Sequence, residues 1–199
     1  MTENSEPRVA GLLLAAGSSS RLGRPKQLVE FEGRTLIRKA AETLIDAGCS
    51  GIFVVLGSEV ERSKLELSGL EVEIVVNDSW ESGMGSSIVY GMRSILALNP
   101  VPDAVLISLC DQPFVTAENL RSFIRTLRRS EASAIAAHYN DVLGVPAIFS
   151  AKWFAHLAIL EGGKGAQGLL RALGSEVESI SLPEAAIDID TPTDLLPLR

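Results

Sequence analysis

The sequence predicts a three-layer α/β fold, a mostly parallel sheet with helices on both faces, from two observations. Short, continuous apolar segments such as VAGLLLA (9–15) and GIFVVLG (51–57) are typical of strands buried on both faces. Segments with apolar residues at helical spacing, such as 35–48, lie between them along the chain. This alternation indicates helices packed above and below the sheet.

The same two patterns predict each element in chain order. The apolar segments predict strands at 9–15, 51–57, 72–77, 103–109, 132–139, 145–150 and 178–182. Helical spacing predicts helices at 35–48, 86–99, 116–130, 151–160 and 165–173. Gly48 and Pro100 are suitable end signals for the first two helices, and Thr116 is a suitable N-cap for the third.

Composition narrows the function classes. The net charge of −7 argues against a general nucleic-acid-binding protein, which needs a basic face. Two cysteines without metal-ligand spacing argue against a disulfide framework or a zinc site. The start of the chain has no apolar signal core, and no later segment has the length of a membrane span. We therefore expect a cytoplasmic protein, with a flexible tail at 1–8 and a single domain at 9–199.

A basic loop follows the first predicted strand, where ligands bind in parallel α/β sheets. Ala15, Ala16 and Gly17 allow a ligand to approach the backbone, and the serines after them add hydroxyl and N–H donors. Arg21 and Lys26 are suitable phosphate partners. The loop is neither a Walker A motif nor a G-x-G-x-x-G motif. Composition alone leaves a phosphate site and an ordinary basic loop equally open.

Three carboxylates follow later strands. Asp111 comes directly after the apolar segment 103–109, and Asp188 and Asp190 lie on an extended segment that turns them to one side. Carboxylates suit Mg²⁺, which completes its shell with water and substrate phosphate. The alternative is that Asp111 caps the next turn and that Asp190, before Thr191 and Pro192, caps a helix.

Five segments in order resemble the MobA-like nucleotidyltransferases. They are LLLAAGSSSRLGRPKQL, NDSWESGMGSSIVYGM, LCDQP, GVPAIF and DIDTPTDL, and the resemblance extends from about residue 9 to 196. The chain is most similar to the molybdenum cofactor cytidylyltransferase branch. The resemblance implies a Rossmann-like three-layer nucleotidyltransferase fold.

The resemblance also implies roles for individual residues. Arg21, Lys26 and Asp111 would be catalytic, Asp111 and Asp190 would hold Mg²⁺, and Gly144 and Pro146 would bind the acceptor. The nucleotide would be bound by Leu14, Ala15, Ala16, Gly17, Ser18, Arg21, Lys26, Gly83, Met84, Ser86 and Ser87.

The implied reaction is Mg²⁺-dependent transfer of CMP from CTP to the phosphate of molybdopterin, with release of pyrophosphate. The Ala15-Ala16 pair resembles cytidylyl more than guanylyl transferases. The segment EGGKGAQ (161–167) lacks the acid and the arginine that the family commonly has there, and we expect this loop to shape the acceptor pocket. Two alternatives stay open: another phosphorylated acceptor, such as a sugar or alcohol phosphate, or a non-catalytic cofactor-delivery protein whose partner is a molybdenum enzyme.

Overall fold

The computed structural model describes residues 6–198, and its centre is a seven-stranded sheet. The predicted tail at 1–8 therefore lies mostly outside the described residues. The strands are β1 (Val9–Ala15), β4 (Gly51–Leu56), β5 (Glu73–Val76), β6 (Ala104–Leu109), β7 (Ala134–Tyr139), β8 (Val142–Ser150) and β9 (Val177–Ser181). Their order is β5-β4-β1-β6-β8-β7-β9, and β8 alone runs antiparallel to its neighbours.

Helices cover both faces of this sheet, as predicted. One face carries α1 (Leu36–Asp46), α2 (Val60–Glu66) and α4 (Ala117–Arg129), and the other carries α3 (Met84–Leu96), α5 (Phe154–Leu157) and α6 (Ala166–Leu173). All seven residues of β1 are buried, and they alternate between the two cores. Leu13 packs toward α1, whereas Leu12 packs toward α3. The fold is thus a three-layer, Rossmann-like α/β arrangement.

The structure differs from the sequence prediction in three short elements. A small hairpin forms from β2 (Glu30–Phe31) and β3 (Arg34–Thr35), and helix α2 is a further element that the apolar pattern did not indicate. The helix predicted at 151–160 is reduced to a 3₁₀ turn and the four-residue α5. Segments this short carry too few residues for a periodic pattern to stand out.

Local chemistry fixes the start of α4 as the sequence indicates, whereas α3 ends at Leu96, before the predicted end signal Pro100. The hydroxyl of Thr116 accepts from the Asn119 N–H, and the Asn119 side chain accepts from the Thr116 N–H, so α4 begins with a capping box. No helix within residues 6–198 is long and apolar enough to cross a bilayer.

Candidate functional site

A cavity of about 300 Å³ opens at the carboxyl ends of β1 and β6, beside the start of α3. This is the position at which parallel α/β sheets bind ligands. Most of the predicted nucleotide-binding residues line it, together with Asp111. The lining residues are Leu14, Ala15, Ala16, Gly17, Ser18, Lys26, Gln27, Trp80, Glu81, Gly83, Met84, Ser87, Leu109, Cys110 and Asp111.

The loop after β1 presents backbone donors at one end of this cavity. Within residues 6–198, no protein group accepts from the N–H groups of residues 17–20. The loop is held from behind: the Ser58 N–H donates to the Ala16 carbonyl over 3.0 Å, and the Ser58 hydroxyl donates to the Gly17 carbonyl over 2.7 Å. A row of available N–H groups on a fixed loop is an arrangement that binds anions.

Lys26 joins this loop to the two predicted metal ligands. Its ammonium donates to Asp111 and, over 3.0 Å, to Asp190. Burial lowers the pKa of Lys26, but the Asp111 charge and the hydrogen bonds that the ammonium donates to both carboxylates outweigh it and raise the pKa above its ordinary value. Lys26 is therefore a permanent cation at this end of the cavity. Arg21 donates to Asp190 over 2.6 Å from the exposed side, where 72% of its side chain is accessible.

The backbone brings the distant carboxylates together. The Ile189 N–H donates to the Asp111 carbonyl over 3.0 Å, and the fully buried Ile189 side chain anchors the segment that carries Asp188 and Asp190. Burial raises the pKa of Asp188, and the charges of Asp111 and Asp190 raise it further. Three carboxyl groups thus repel one another close to Lys26.

Neither carboxylate serves as the cap that the alternative interpretation required. One oxygen of Asp111 accepts from Lys26, and the other is buried with no hydrogen-bond partner among the described residues. Asp194 is the residue that caps the final turn, because its carboxylate accepts from the N–H groups of Asp190 and Thr191 and from the Thr191 hydroxyl. The side chain of Asp190 is left to pair with the two cations.

The opposite wall of the cavity is the turn that opens α3. Asn77 is fully buried and ties this turn together by donating to the hydroxyls of Ser86, over 2.9 Å, and Ser87, over 3.0 Å. Ser87 lines the cavity, whereas the Ser86 hydroxyl also bonds the carbonyls of Ser79 and Gly83. Ser86 therefore holds the shape of the turn and does not line the cavity.

The altered loop at 161–167 packs directly behind this turn. The Gly85 N–H donates to the Gly162 carbonyl over 2.8 Å. A Cβ on Gly85 would lie 2.1 Å from the Glu161 carbonyl oxygen, and one on Gly83 would lie 2.4 Å from that of Gly162. Gly83 also has a φ of +112°, which only glycine adopts readily. The loop expected to shape the acceptor pocket thus contacts the wall of the nucleotide cavity.

Five lining residues were not among the predicted site residues: Gln27, Trp80, Glu81, Leu109 and Cys110. Trp80 packs its Cβ over Gly57 and also lines the cavity. Glu81 lies beside it and forms no ion pair or hydrogen bond within residues 6–198. Gln27 is 1% exposed and donates to Ser58. The sequence feature that could have indicated a role for Gln27 is its position directly after Lys26 in the basic loop.

The predicted acceptor residues are buried in β8 and do not line this cavity. Gly144 is covered by Tyr139, whose hydroxyl oxygen would lie 2.4 Å from a Cβ at that position. The Val145–Pro146 bond is cis, and the Val145 carbonyl accepts from both Tyr139 and Gln112. Gln112, the middle residue of Asp-Gln-Pro, also donates to the Ala185 carbonyl and so ties β8 to the segment before Asp188.

Comparison with known proteins decides the family. The profile of the MobA-like NTP transferase domain matches residues 11–177. The chain belongs to the MobA-like NTP transferase family. It is therefore a nucleotidyltransferase-type chain, as its motifs indicated.

Relatives within the MobA-like family carry varied names. The chain is 34% identical to "Nicotine blue oxidoreductase" of Paenarthrobacter nicotinovorans, over 96% of each chain. It is 26% identical to "Purine catabolism protein PucB" of Bacillus subtilis, over 94% of each. It is also 31% identical to "Probable molybdenum cofactor guanylyltransferase" of Bacillus cytotoxicus, over 55% of this chain and 52% of the relative.

Solved structures have the same MobA-like fold. Rv0371c from Mycobacterium tuberculosis superposes with a TM-score of 0.84 at 27% identity, over 98% of each chain. A second structure of Rv0371c, in complex with manganese, superposes with a TM-score of 0.79 at 25% identity, over 96% of this chain and 97% of that one. The predicted three-layer fold is thus confirmed.

Proposed function

We propose that this chain transfers CMP from CTP to the phosphate of molybdopterin and releases pyrophosphate, with the help of a divalent metal ion, Mg²⁺. The observation that carries the proposal is the row of available N–H groups at 17–20, on the loop that leads to Lys26, whose ammonium donates to Asp111. Gly17, Ser18, Lys26 and Asp111 all line the cavity. Backbone donors, a fixed cation and carboxylates at one cavity suit a metal-bound triphosphate.

In this proposal the protein acts through position and charge. The acceptor phosphate attacks the α-phosphorus of CTP, and the bond to the leaving pyrophosphate breaks. Lys26 and Arg21 neutralise the negative charge that moves onto the leaving oxygens, while the N–H groups of Gly17 and Ser18 hold the phosphates in line. To do so, both cations exchange a carboxylate of this chain for a phosphate of the nucleotide.

Asp111 and Asp190 fit the role of metal ligands. The second oxygen of Asp111 is buried without a hydrogen-bond partner among the described residues, and a buried carboxylate oxygen needs a cation or a donor. Within that part of the chain no group of three or more His, Cys, Asp or Glu residues is arranged to hold a metal. A site completed by phosphate suits Mg²⁺, which needs few protein ligands. The bound ion would supply positive charge to the phosphates.

The nucleoside half occupies the wall formed by Gly83, Met84 and Ser87 and faces the backbone at Leu14–Ala16. The double alanine at 15 and 16 supports cytosine over guanine. Glu81 supports an amino-bearing base, because a carboxylate accepts from the exocyclic amine of cytosine and repels the carbonyl of uracil. We therefore assign CTP rather than UTP as the substrate.

The family resemblance assigns molybdopterin as the acceptor. Because Gly144 and Pro146 are buried in β8, they would shape the acceptor side of the site from within this strand and would not contact the acceptor from the cavity wall. The loop 161–167, without the family's acid and arginine, favours a variant acceptor as the second candidate within the same chemistry. A second class of function rests on one observation, the 34% identity over 96% of each chain to a relative named as an oxidoreductase.

A single set of assays separates these candidates. Pyrophosphate release is measured with each of the four NTPs, with Mg²⁺ or Mn²⁺, with and without molybdopterin or simple sugar phosphates. Oxidation of NADH and NADPH, as general reductants, is followed in parallel with common redox dyes as acceptors. We expect release with CTP and molybdopterin only. Release with another phosphate would replace the acceptor, and reduced-nicotinamide oxidation without pyrophosphate release would replace the reaction class.

A further inference from the structure

The side chain of Gln27 is an unexpected polar group in the wall of the cavity. It follows Lys26 in a short 3₁₀ turn at 26–28, lines the cavity, and is only 1% exposed. A buried amide costs free energy unless both its ends find partners. The partners of both ends of the Gln27 amide must therefore be identified.

Ser58 fixes the direction in which this amide points. The Gln27 Nε2 lies 3.4 Å from the Ser58 carbonyl oxygen and 3.2 Å from the Ser58 hydroxyl oxygen. A carbonyl only accepts, and the Ser58 hydroxyl already donates its proton to the Gly17 carbonyl. The end of the amide facing Ser58 must therefore be the donor, so the other end is the carbonyl oxygen.

That oxygen, Oε1, is buried and has no hydrogen-bond partner among the described residues. The same holds for four other side-chain atoms there, but among these five residues only Gln27 and Asp111 line the cavity. Asp111 is a charged group suited to a cation. Gln27 offers a neutral acceptor, and Nε2 already has its partner in Ser58.

The chemistry of a nucleotide restricts what this oxygen can accept from. Phosphate oxygens carry negative charge and would be repelled by a carbonyl oxygen. Donors occur only in the nucleoside half, as an exocyclic N–H of the base or an O–H of the ribose. Because Oε1 has almost no accessible surface in the ligand-free protein, it can accept from a ligand only when the amide turns toward the cavity on binding. We propose that Gln27 Oε1 then accepts a hydrogen bond from the nucleoside half of the bound nucleotide and so helps to select it. This inference rests on the proposed function, since it requires a nucleotide in this cavity.

The test pairs a change in the protein with a change in the ligand. Gln27→Met removes the acceptor at nearly constant volume, and affinities are measured by calorimetry in Mg²⁺ for CTP, UTP, 2′-deoxy-CTP, 3′-deoxy-CTP and inorganic tripolyphosphate. We expect CTP to bind about 3- to 10-fold more weakly to the variant, the effect of one hydrogen bond. Tripolyphosphate, which has no nucleoside, binds both proteins equally.

One ligand change should have the same effect on the wild-type protein. If the donor is the base amine, UTP should bind the wild-type protein more weakly than CTP does. If the donor is a ribose hydroxyl, the deoxy analogue that lacks this hydroxyl should be the weaker ligand. That analogue then binds wild type and Gln27→Met equally well. Because this arm uses the unaltered protein, it does not depend on how well the variant folds.

Ser58→Ala is the matched control, since it removes the anchor of the amide and of Gly17 but keeps Oε1. We expect it to weaken all five ligands by a similar factor. If Gln27→Met also weakens all five equally, or weakens none, the inference is wrong. If the wild-type protein binds neither CTP nor tripolyphosphate, the proposed function fails first, and the inference with it.

Discussion

At one end of the cavity the charged groups are already paired with one another. At the other end, which we propose binds the nucleoside, the polar groups have no hydrogen-bond partner in the protein. Lys26 and Arg21 are bound to Asp111 and Asp190. Among the groups assigned to the nucleoside, Gln27 Oε1 is buried and the Glu81 carboxylate is exposed, and neither has a protein partner within residues 6–198. A phosphate at the first end replaces existing ion pairs, whereas a nucleoside at the second end forms new hydrogen bonds. Affinity should therefore come mainly from the nucleoside, and rate mainly from the paired charges.

The largest expected effect on activity comes from removing Lys26, which pairs with both carboxylates. Lys26→Ala should lower pyrophosphate release by about 100-fold or more, because it removes a fixed cation from the leaving phosphates. It should also lower the free energy of unfolding by about 2 kcal/mol, because Asp111 and Asp190 lose their shared partner. This loss is smaller than for a fully buried ion pair, because these side chains are partly exposed. Turnover assays and thermal melts measure the two effects.

Arg24→Ala is the control for this variant. Arg24 lies on the same loop and is exposed, with no ion pair in the described part of the chain. Its removal should change turnover by less than about 2-fold and stability by less than about 0.5 kcal/mol. Equal effects of the two variants would mean that only the loop's overall charge matters.

The second-largest effect, on stability and CTP binding, should come from the turn that opens α3, which forms the cavity wall assigned to the nucleoside. Gly85→Ala would place a Cβ 2.1 Å from the Glu161 carbonyl oxygen and 2.4 Å from that of Lys164, so the loop must move. We expect a loss of about 1–3 kcal/mol in the free energy of unfolding and weaker CTP binding, with tripolyphosphate binding little changed. Chemical denaturation and calorimetry measure these. Gly163→Ala, with no atom within 4 Å of the added Cβ, should be neutral, and a similar loss there would contradict the packing described.

Arg21→Ala should affect stability much less than Lys26→Ala. Arg21 pairs with Asp190 from the exposed side, and exposed pairs contribute about 0–1 kcal/mol. We expect an unchanged melting temperature, with tripolyphosphate affinity reduced most at low salt, where screening is weakest. A loss of stability as large as that of Lys26→Ala would show that the two cations act as one unit.

The smallest expected effect is on the reactivity of the two cysteines, of which Cys110 lines the cavity. Burial raises the pKa of the Cys110 thiol to about 12, and the Asp111 charge contributes, while burial also raises that of Cys49 to about 12. Only about one thiol in ten thousand is then ionised at pH 8, so iodoacetamide should leave both unmodified in the folded protein and alkylate both in guanidinium. Reactivity should rise as the pH approaches 12. Rapid modification of Cys110 at pH 8 would mean that the cavity floor is more polar than its packing indicates.

The sequence carried enough information for the layers of the fold and for the charged half of the site. Buried parallel strands leave continuous apolar segments, and the helices leave a clear 3.6-residue period, so both are visible without a structure. Lys26, Asp111 and Asp190 each follow a predicted strand, which made them candidates, and the family resemblance joined them in one predicted site. Their family roles remain predictions.

The neutral half of the site could not be predicted in the same way. Whether Gln27 is buried depends on Ser58, a residue 31 positions away in another loop. The contact between Gly85 and Gly162 joins segments 77 positions apart through backbone atoms alone. Neither contact leaves a periodic or charged pattern, so only the folded arrangement reveals them.

The close packing of residues 82–85 against 161–165 has a consequence for building hybrid enzymes. The two segments meet through backbone, with glycines at 83, 85 and 162 leaving no room for a side chain. A designer who transplants an acceptor loop from a relative into 161–165 would push on the base-binding wall unless residues 82–85 are exchanged with it. The two segments therefore form one unit of exchange, and libraries that vary both together should retain more folded members than libraries that vary either alone.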